Sequence, residues 1–208
     1  MSELINDLHK LQKKDMPEAG SILADAFQHY PVWNKLFEGE SKIEKKYCAF
    51  FEAPLRFCLK YGEVYATSEN FEGIAAWVPG DQADMKFWRM IRSGALKSAM
   101  KMGANIGKKM KLIMKSLPED RKENMGEVQY IYFLLIGVAA IFQGKGFGGK
   151  LLRALIEKSE QLGIPLYLET ETEDNVKMYK RFGFKVMKKI TLPVINLPMW
   201  EMVREPSP

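Results

Sequence analysis

Residues 138–149 read Val-Ala-Ala-Ile-Phe-Gln-Gly-Lys-Gly-Phe-Gly-Gly, and this stretch decides the fold. An apolar run over 131–138 leads into it, and glycines stand at 144, 146, 148 and 149. From Phe147 onward, Leu151, Leu152, Leu155 and Ile156 fall at helical spacing. A strand, a glycine-rich turn and a helix start present bare backbone N–H groups. Glycine lets another molecule approach the main chain closely, and a helix N-terminus carries a partial positive charge. Lys145 adds a mobile cation. The segment is suited to holding phosphate.

Outward from this turn the chain reads as one α/β domain over 1–208. Its 208 residues are enough for a sizeable core and few for two. An apolar content of 47% excludes a disordered chain. The longest apolar run, 131–142, is too short to span a bilayer, which predicts no integral membrane association. The first residues lack the basic start and apolar core of a signal peptide, so a cytoplasmic protein is expected. Cys48 and Cys58, ten residues apart on one expected helix, are too distant for a disulfide and read as buried thiols. Neither the two histidines, His9 and His29, nor any other cluster offers metal-ligand spacing.

The net charge of +5 is concentrated. Residues 85–115 carry nine Lys/Arg and no acid, while the remainder has 22 bases against 26 acids. A mildly acidic protein with one basic insert does not read as a nucleic-acid binder. That insert holds six of the 13 methionines. It is expected to form an amphipathic cover with a solvated basic face, a membrane surface or acidic partner being the sharper alternative.

Before the turn, residues 4–11 make a lead-in or short strand. Asp15-Met16-Pro17-Glu18 predicts a capped helix that ends at Pro31. Ser41-Lys42-Ile43-Glu44 predicts a second capped helix to about residue 60, kinked at Pro54. Residues 62–67 and 73–78 read as a hairpin. A helical insert over 85–127 has weak points at Gly94 and Gly103 and closes at Leu117-Pro118. The core over 128–190 then runs strand 128–138, helix 147–161, strand 166–169, helix 174–181 with Gly183 as its cap, and a strand over 184–190. A last strand is expected over 199–203.

Three phosphate ligands compete for the turn. A nucleotide P-loop needs Ser or Thr after Gly-Lys, and Leu151 follows Gly149-Lys150. The dinucleotide fingerprint is matched literally by Gly144, Gly146 and Gly149, with Glu169 twenty residues on. Against it, five residues separate the strand from Gly144, and 39 residues after Glu169 are too few for a doubly wound sheet. A dinucleotide-dependent oxidoreductase is therefore the second reading.

The third pattern is a resemblance. Gln143-Gly144-Lys145-Gly146-Phe147-Gly148 resembles the Gln/Arg-x-x-Gly-x-Gly/Ala signature of the GNAT superfamily of acyl-CoA N-acyltransferases. Asn175-Val176-x-x-Tyr179-x-x-x-Gly183-Phe184 resembles the family's second motif, in the right order and at the right spacing. The stretch from Gly163 through Glu169-Thr170 to Phe184, with a helical insert upstream, is similar to the puromycin N-acetyltransferase-like subgroup. Ala140 departs from the proline that many members have after the strand, a change that only loosens a turn.

The resemblance implies a mixed, mostly antiparallel sheet flanked by helices. It implies acetyl-CoA as co-substrate, no metal, and direct transfer to the amine of a small molecule, by a monomer or homodimer. A silent CoA-binding regulatory module of the same fold is the non-enzyme alternative. By position, Ile136, Gly137 and Val138 would hold pantetheine, and Gln143, Gly144, Lys145, Gly146, Phe147, Gly148 and Gly149 the pyrophosphate. Asn175 would touch the pantetheine arm, and the Tyr179 hydroxyl would protonate the leaving thiolate, its ordinary pKa near 10 being suited to that. Some members carry a base where Tyr132 and Leu134 stand here. Tyr132, Glu169 and Glu127 are the candidates for that role, the acids through water. Phe27, Tyr30, Trp33, Tyr65, Trp77, Tyr130 and Tyr132 are expected to line the acceptor pocket.

Overall fold

The computed structural model describes residues 3–207. It begins with a helical turn, α1 (Glu3–Asn6), and a two-residue strand, β1 (His9–Lys10). Three helices follow: α2 (Met16–Ala26), α3 (Pro31–Leu36) and α4 (Ile43–Tyr61). The hairpin β2 (Glu63–Ala66) and β3 (Gly73–Pro79) leads to four insert helices, α5 (Phe87–Ser93), α6 (Ala95–Lys101), α7 (Ala104–Ile113) and α8 (Leu117–Met125). The chain ends with β4 (Ile131–Val138), α9 (Phe147–Leu162), β5 (Leu166–Thr170), α10 (Glu173–Arg181), β6 (Lys185–Leu192) and β7 (Leu197–Arg204).

The seven strands form one sheet in the order β1-β2-β3-β4-β5-β7-β6. Only β4 and β5 run parallel; every other neighbouring pair is antiparallel. This is the mixed sheet expected, and it excludes the doubly wound parallel sheet of the dinucleotide reading. One face packs on α2, α4 and the insert, burying Leu23, Phe51, Phe57, Val78 and Ile106. The other face packs on α9 and α10, burying Leu151, Leu152, Leu155, Val176 and Phe184. The helical spacing read for Leu151, Leu152 and Leu155 is the stripe that buries α9.

Several expected boundaries move, for local reasons. Asp15 does not cap α2; its carboxylate accepts from Gln12 N at 2.7 Å in the turn before it. Pro31 starts α3 rather than ending α2, and Leu117-Pro118 opens α8 rather than closing the insert. Proline is as well suited to the first helical turn, where no N–H is needed, as to a stop. Ser41 does not cap α4, because Lys42, at φ 55°, is the residue that enters the helix. That helix runs unbroken through Pro54. Gly94 and Gly103, both at positive φ, break the insert where expected. Cys58 is buried, as read, but Cys48 is only partly so.

Candidate active site

The site begins where β4 and β5 part. They pair only at Ile131 with Leu166 and at Tyr132 with Tyr167. Beyond Tyr132, β4 stays on β3 through a bulge opposite Ala76/Trp77, while β5 stays on β7. The strands diverge and open a cleft of about 500 Å³, floored by residues 133–138 on one side and Leu168, Glu169 and Thr170 on the other. Phe27, Tyr30 and Trp33 form one wall, and Asn175, Met178, Tyr179 and Phe182 the other.

At the mouth, the chain makes a 3-10 turn over Ala140–Phe142 and then the glycine turn. Gly144 (φ 76°) and Gly146 (φ 89°) are left-handed, a conformation that disfavours any side chain. The first backbone N–H beyond Gly146 to reach a carbonyl in this turn is that of Lys150, donating to Gly146 O at 3.0 Å. The amides of Phe147, Gly148 and Gly149 open α9 without intrahelical acceptors, as any helix start leaves them. The exposed Gln143 side-chain amide donates to Val138 O at 3.0 Å. Lys145 rests over the Phe142 ring, its Nζ 5.3 Å from the centroid. Lys150 points elsewhere, bonded to Asp7 O and Thr67 O. Gly137 has a packing role as well: a Cβ there would lie 2.5 Å from Leu23 Cδ2, so any larger residue would force the α2 side chains to shift.

On the far wall, Thr172, not Asn175, caps α10, its hydroxyl accepting from Asn175 N at 3.3 Å. The Asn175 amide donates to Tyr30 Oη at 2.5 Å and to Thr170 Oγ1 at 3.0 Å. It ties the segment before α3 to the end of β5. Tyr179 lies one turn further along the same helix face, buried, its ring edge-on to Phe184 at 5.4 Å. Burial, then the nearby Tyr30 and Glu171, push the Tyr179 hydroxyl well above the ordinary tyrosine range. Tyr30 is held at about 12, chiefly by burial and then by Glu171.

Glu169 and Tyr132 meet beneath the cleft. Tyr132 Oη donates to Glu169 Oε2 at 2.5 Å, and Arg121 of α8 donates to Glu169 Oε1 at 3.0 Å and to Asp84 at 2.7 Å. Both Glu169 oxygens are therefore occupied. Burial raises this carboxyl, with Arg121 and the Tyr132 hydrogen bond opposing it. The Tyr132 hydroxyl is raised strongly, first by burial and then by Glu169. Arg121 itself is nearly buried and stacks 5.0 Å over the Tyr132 ring.

Glu171 was absent from the sequence reading. It follows β5 directly and lines the cleft with Tyr30 and Tyr179. Its pKa is pushed up to about 8, first by burial and then by Glu169. Unlike Glu169, it has no cation paired with it among the described residues. The alternation Tyr167, Glu169, Glu171 was the signal that could have found it, since every second residue of a strand faces the same way.

The expected acceptor wall is corrected in part. Phe27, Tyr30 and Trp33 line the cleft. Tyr65 and Trp77 stack on each other at 5.3 Å on the opposite sheet face, under α9. Tyr130 packs against Gly80 at the other end of the sheet, and Tyr132 is committed to Glu169. Glu127 lies in a separate groove with Tyr130, away from the cleft.

The model of the acetyltransferase (GNAT) family matches residues 114–184, from just after α7 through the splayed strands to just past α10. The matched stretch is the one that builds the floor of the cleft. A Schizosaccharomyces pombe relative, an uncharacterized N-acetyltransferase, is 28% identical over 206 residues, covering 95% of this chain and 83% of its own length. Among solved structures, a Corynebacterium glutamicum protein described as histone acetyltransferase HPA2 and related acetyltransferase shares the fold at a TM-score of 0.62 and 17% identity, covering 97% of this chain and 98% of its own. The Drosophila melanogaster polyamine N-acetyltransferase matches at a TM-score of 0.62 and 11% identity, covering 95% and 98%. At such identities the structures bear on fold alone. The family match over the core and the N-acetyltransferase relative together support an acyl-CoA-dependent acetyltransferase. No group of His, Cys, Asp or Glu able to hold a metal occurs among the described residues.

Proposed function

We propose that this enzyme transfers an acetyl group from acetyl-CoA directly to the primary amine of a small molecule. The observation that carries the reading is the parting of β4 from β5 after Tyr132, which opens a cleft between the glycine turn and the Tyr179 wall. Pantetheine would lie along Ile136, Gly137 and Val138, whose edge no longer pairs with β5. The pyrophosphate would meet the turn from Gln143 to Gly149 and the start of α9, where unpaired N–H groups and the helix dipole favour an anion. Lys145 would supply a mobile cation. Asn175 would fix the wall on which the thioester rests. An acceptor amine would enter past Phe27, Tyr30 and Trp33, whose rings suit a small molecule with an apolar body rather than a peptide tail.

In this reading Glu171, rather than the fully paired Glu169, accepts the proton of the incoming ammonium. The freed amine attacks the thioester carbonyl, the C–S bond breaks as the C–N bond is made, and the departing thiolate takes the Tyr179 proton. The second proton of the attacking nitrogen returns to the Tyr179 oxygen, leaving a neutral amide, and Glu171 sheds its proton to solvent. Raised far above its ordinary value, the Tyr179 hydroxyl is a poor acid while Glu171 is charged. Protonation of Glu171 would remove one of the smaller influences that hold Tyr179 up, while burial remains. Glu169, Tyr132 and Arg121 would act by fixing the floor of the cleft.

A thermal-shift comparison tests the ligand, because a molecule that binds only the folded state stabilises it. Acetyl-CoA should raise the melting temperature and NAD(P) should not. Release of free CoA thiol only when an amine is present would establish turnover. Stabilisation by acetyl-CoA without any thiol release across an amine panel would leave a binding module instead.

A further inference from the structure

The insert packs on the core with one side and exposes apolar residues on the other. Met102, Ile106, Ile113 and Leu117 are buried in the core. On α5 the inward position goes to Met90, while Phe87, Trp88 and Ile91 are 59%, 72% and 42% exposed. At 3.6 residues per turn these three share an arc of about 100° on the helix surface. The Phe87 and Trp88 rings sit 5.6 Å apart, and Met100 of the next helix is also exposed. Around this ridge, Lys86, Arg92, Lys97 and Lys101 are exposed, and no acid occurs anywhere in residues 85–115.

Soluble surfaces scatter single apolar residues, but a helix that turns a phenyl, an indole and an isoleucine outward together marks a contact face. We propose that the α5–α6 face docks reversibly on a bilayer surface bearing anionic lipid. The chemistry fits both layers of such a surface. Phenylalanine, isoleucine and methionine side chains enter the acyl boundary, indole favours the headgroup level, and lysine and arginine meet the lipid charge. A nucleic acid would use the cations and rings but gives Ile91 and Met100 nothing to bury against. A second copy would bring two wholly basic inserts together.

Co-sedimentation with vesicles tests this. With roughly 30% phosphatidylserine in phosphatidylcholine, the protein should be retained at about 0.05 M salt and released at about 0.5 M, where charges are screened. Trp77 and Trp200 are buried and Trp33 lies in the cleft wall, so a blue shift of tryptophan emission on binding reports mainly Trp88. The exposed double variant Phe87→Ser/Trp88→Ser should lose retention roughly tenfold or more. Its acetyl-transfer rate toward a soluble amine should be unchanged. Three outcomes overturn the proposal: no retention at low salt, equal retention of the double variant, or binding to heparin with none to vesicles.

Discussion

The charge state of Glu171 should set the pH dependence of the enzyme. Its pKa of about 8 in the empty cleft means that roughly one molecule in ten carries the carboxylate at pH 7 and one in a hundred at pH 6. Because kcat/KM reports the free enzyme, it should rise about tenfold per pH unit below 7.5 and level off above 8. Glu171→Gln keeps the shape but cannot take a proton, and it should lower the plateau by about 10²–10⁴-fold, the usual contribution of a general base. Stability gives the control. The folded pKa lies above the unfolded value of about 4.3, so folding disfavours the ionised group, and its contribution weakens as pH rises from about 4 through 8. The amide should therefore melt no lower than the parent protein at pH 9. The assay is initial-rate thiol release over pH 6–10, with amines of differing basicity and with both substrates well below saturation. An acid limb that moves with the amine, and that Glu171→Gln leaves in place, would refute the assignment.

Three other substitutions probe separate parts of the site. Tyr179→Phe should lower turnover at least about tenfold while acetyl-CoA still raises the melting temperature; unchanged turnover removes Tyr179 from the chemistry. Gly137→Val should destabilise the protein by about 1–3 kcal/mol in chemical denaturation, because even a Cβ meets Leu23 Cδ2 at 2.5 Å. A stability equal to the parent would show that α2 can step away from β4 at no cost. Arg121→Met leaves Glu169 without its cation beneath the cleft, for an expected loss of about 3–5 kcal/mol. Adding Glu169→Gln should recover part of that loss, and no recovery would place the role of Arg121 elsewhere.

What was legible in the sequence was whatever a single residue's own conformation or its near neighbours dictate. The glycine turn could be read because Gly144 and Gly146 occupy a backbone region that other residues avoid, so the geometry is written in residue type. Asn175 and Tyr179 could be read because a four-residue step on a helix fixes them on one face. The proline boundaries could not: Pro31 and Pro118 mark a helix end equally well from either side, and only the packing of α3 and α8 chose the start. The partners of Glu169 were illegible for a different reason. Its partners Tyr132 and Arg121 lie 37 and 48 residues away, and no local pattern announces that pairing. Once made, it removes Glu169 from the competition for the amine's proton. The acid two residues on, with the same strand phase and no cation, is then the one that burial and the charge of Glu169 raise together. On the proposed mechanism the insert would reach the chemistry indirectly: by pairing Arg121 with one carboxylate, it would leave the neighbouring glutamate available as the base.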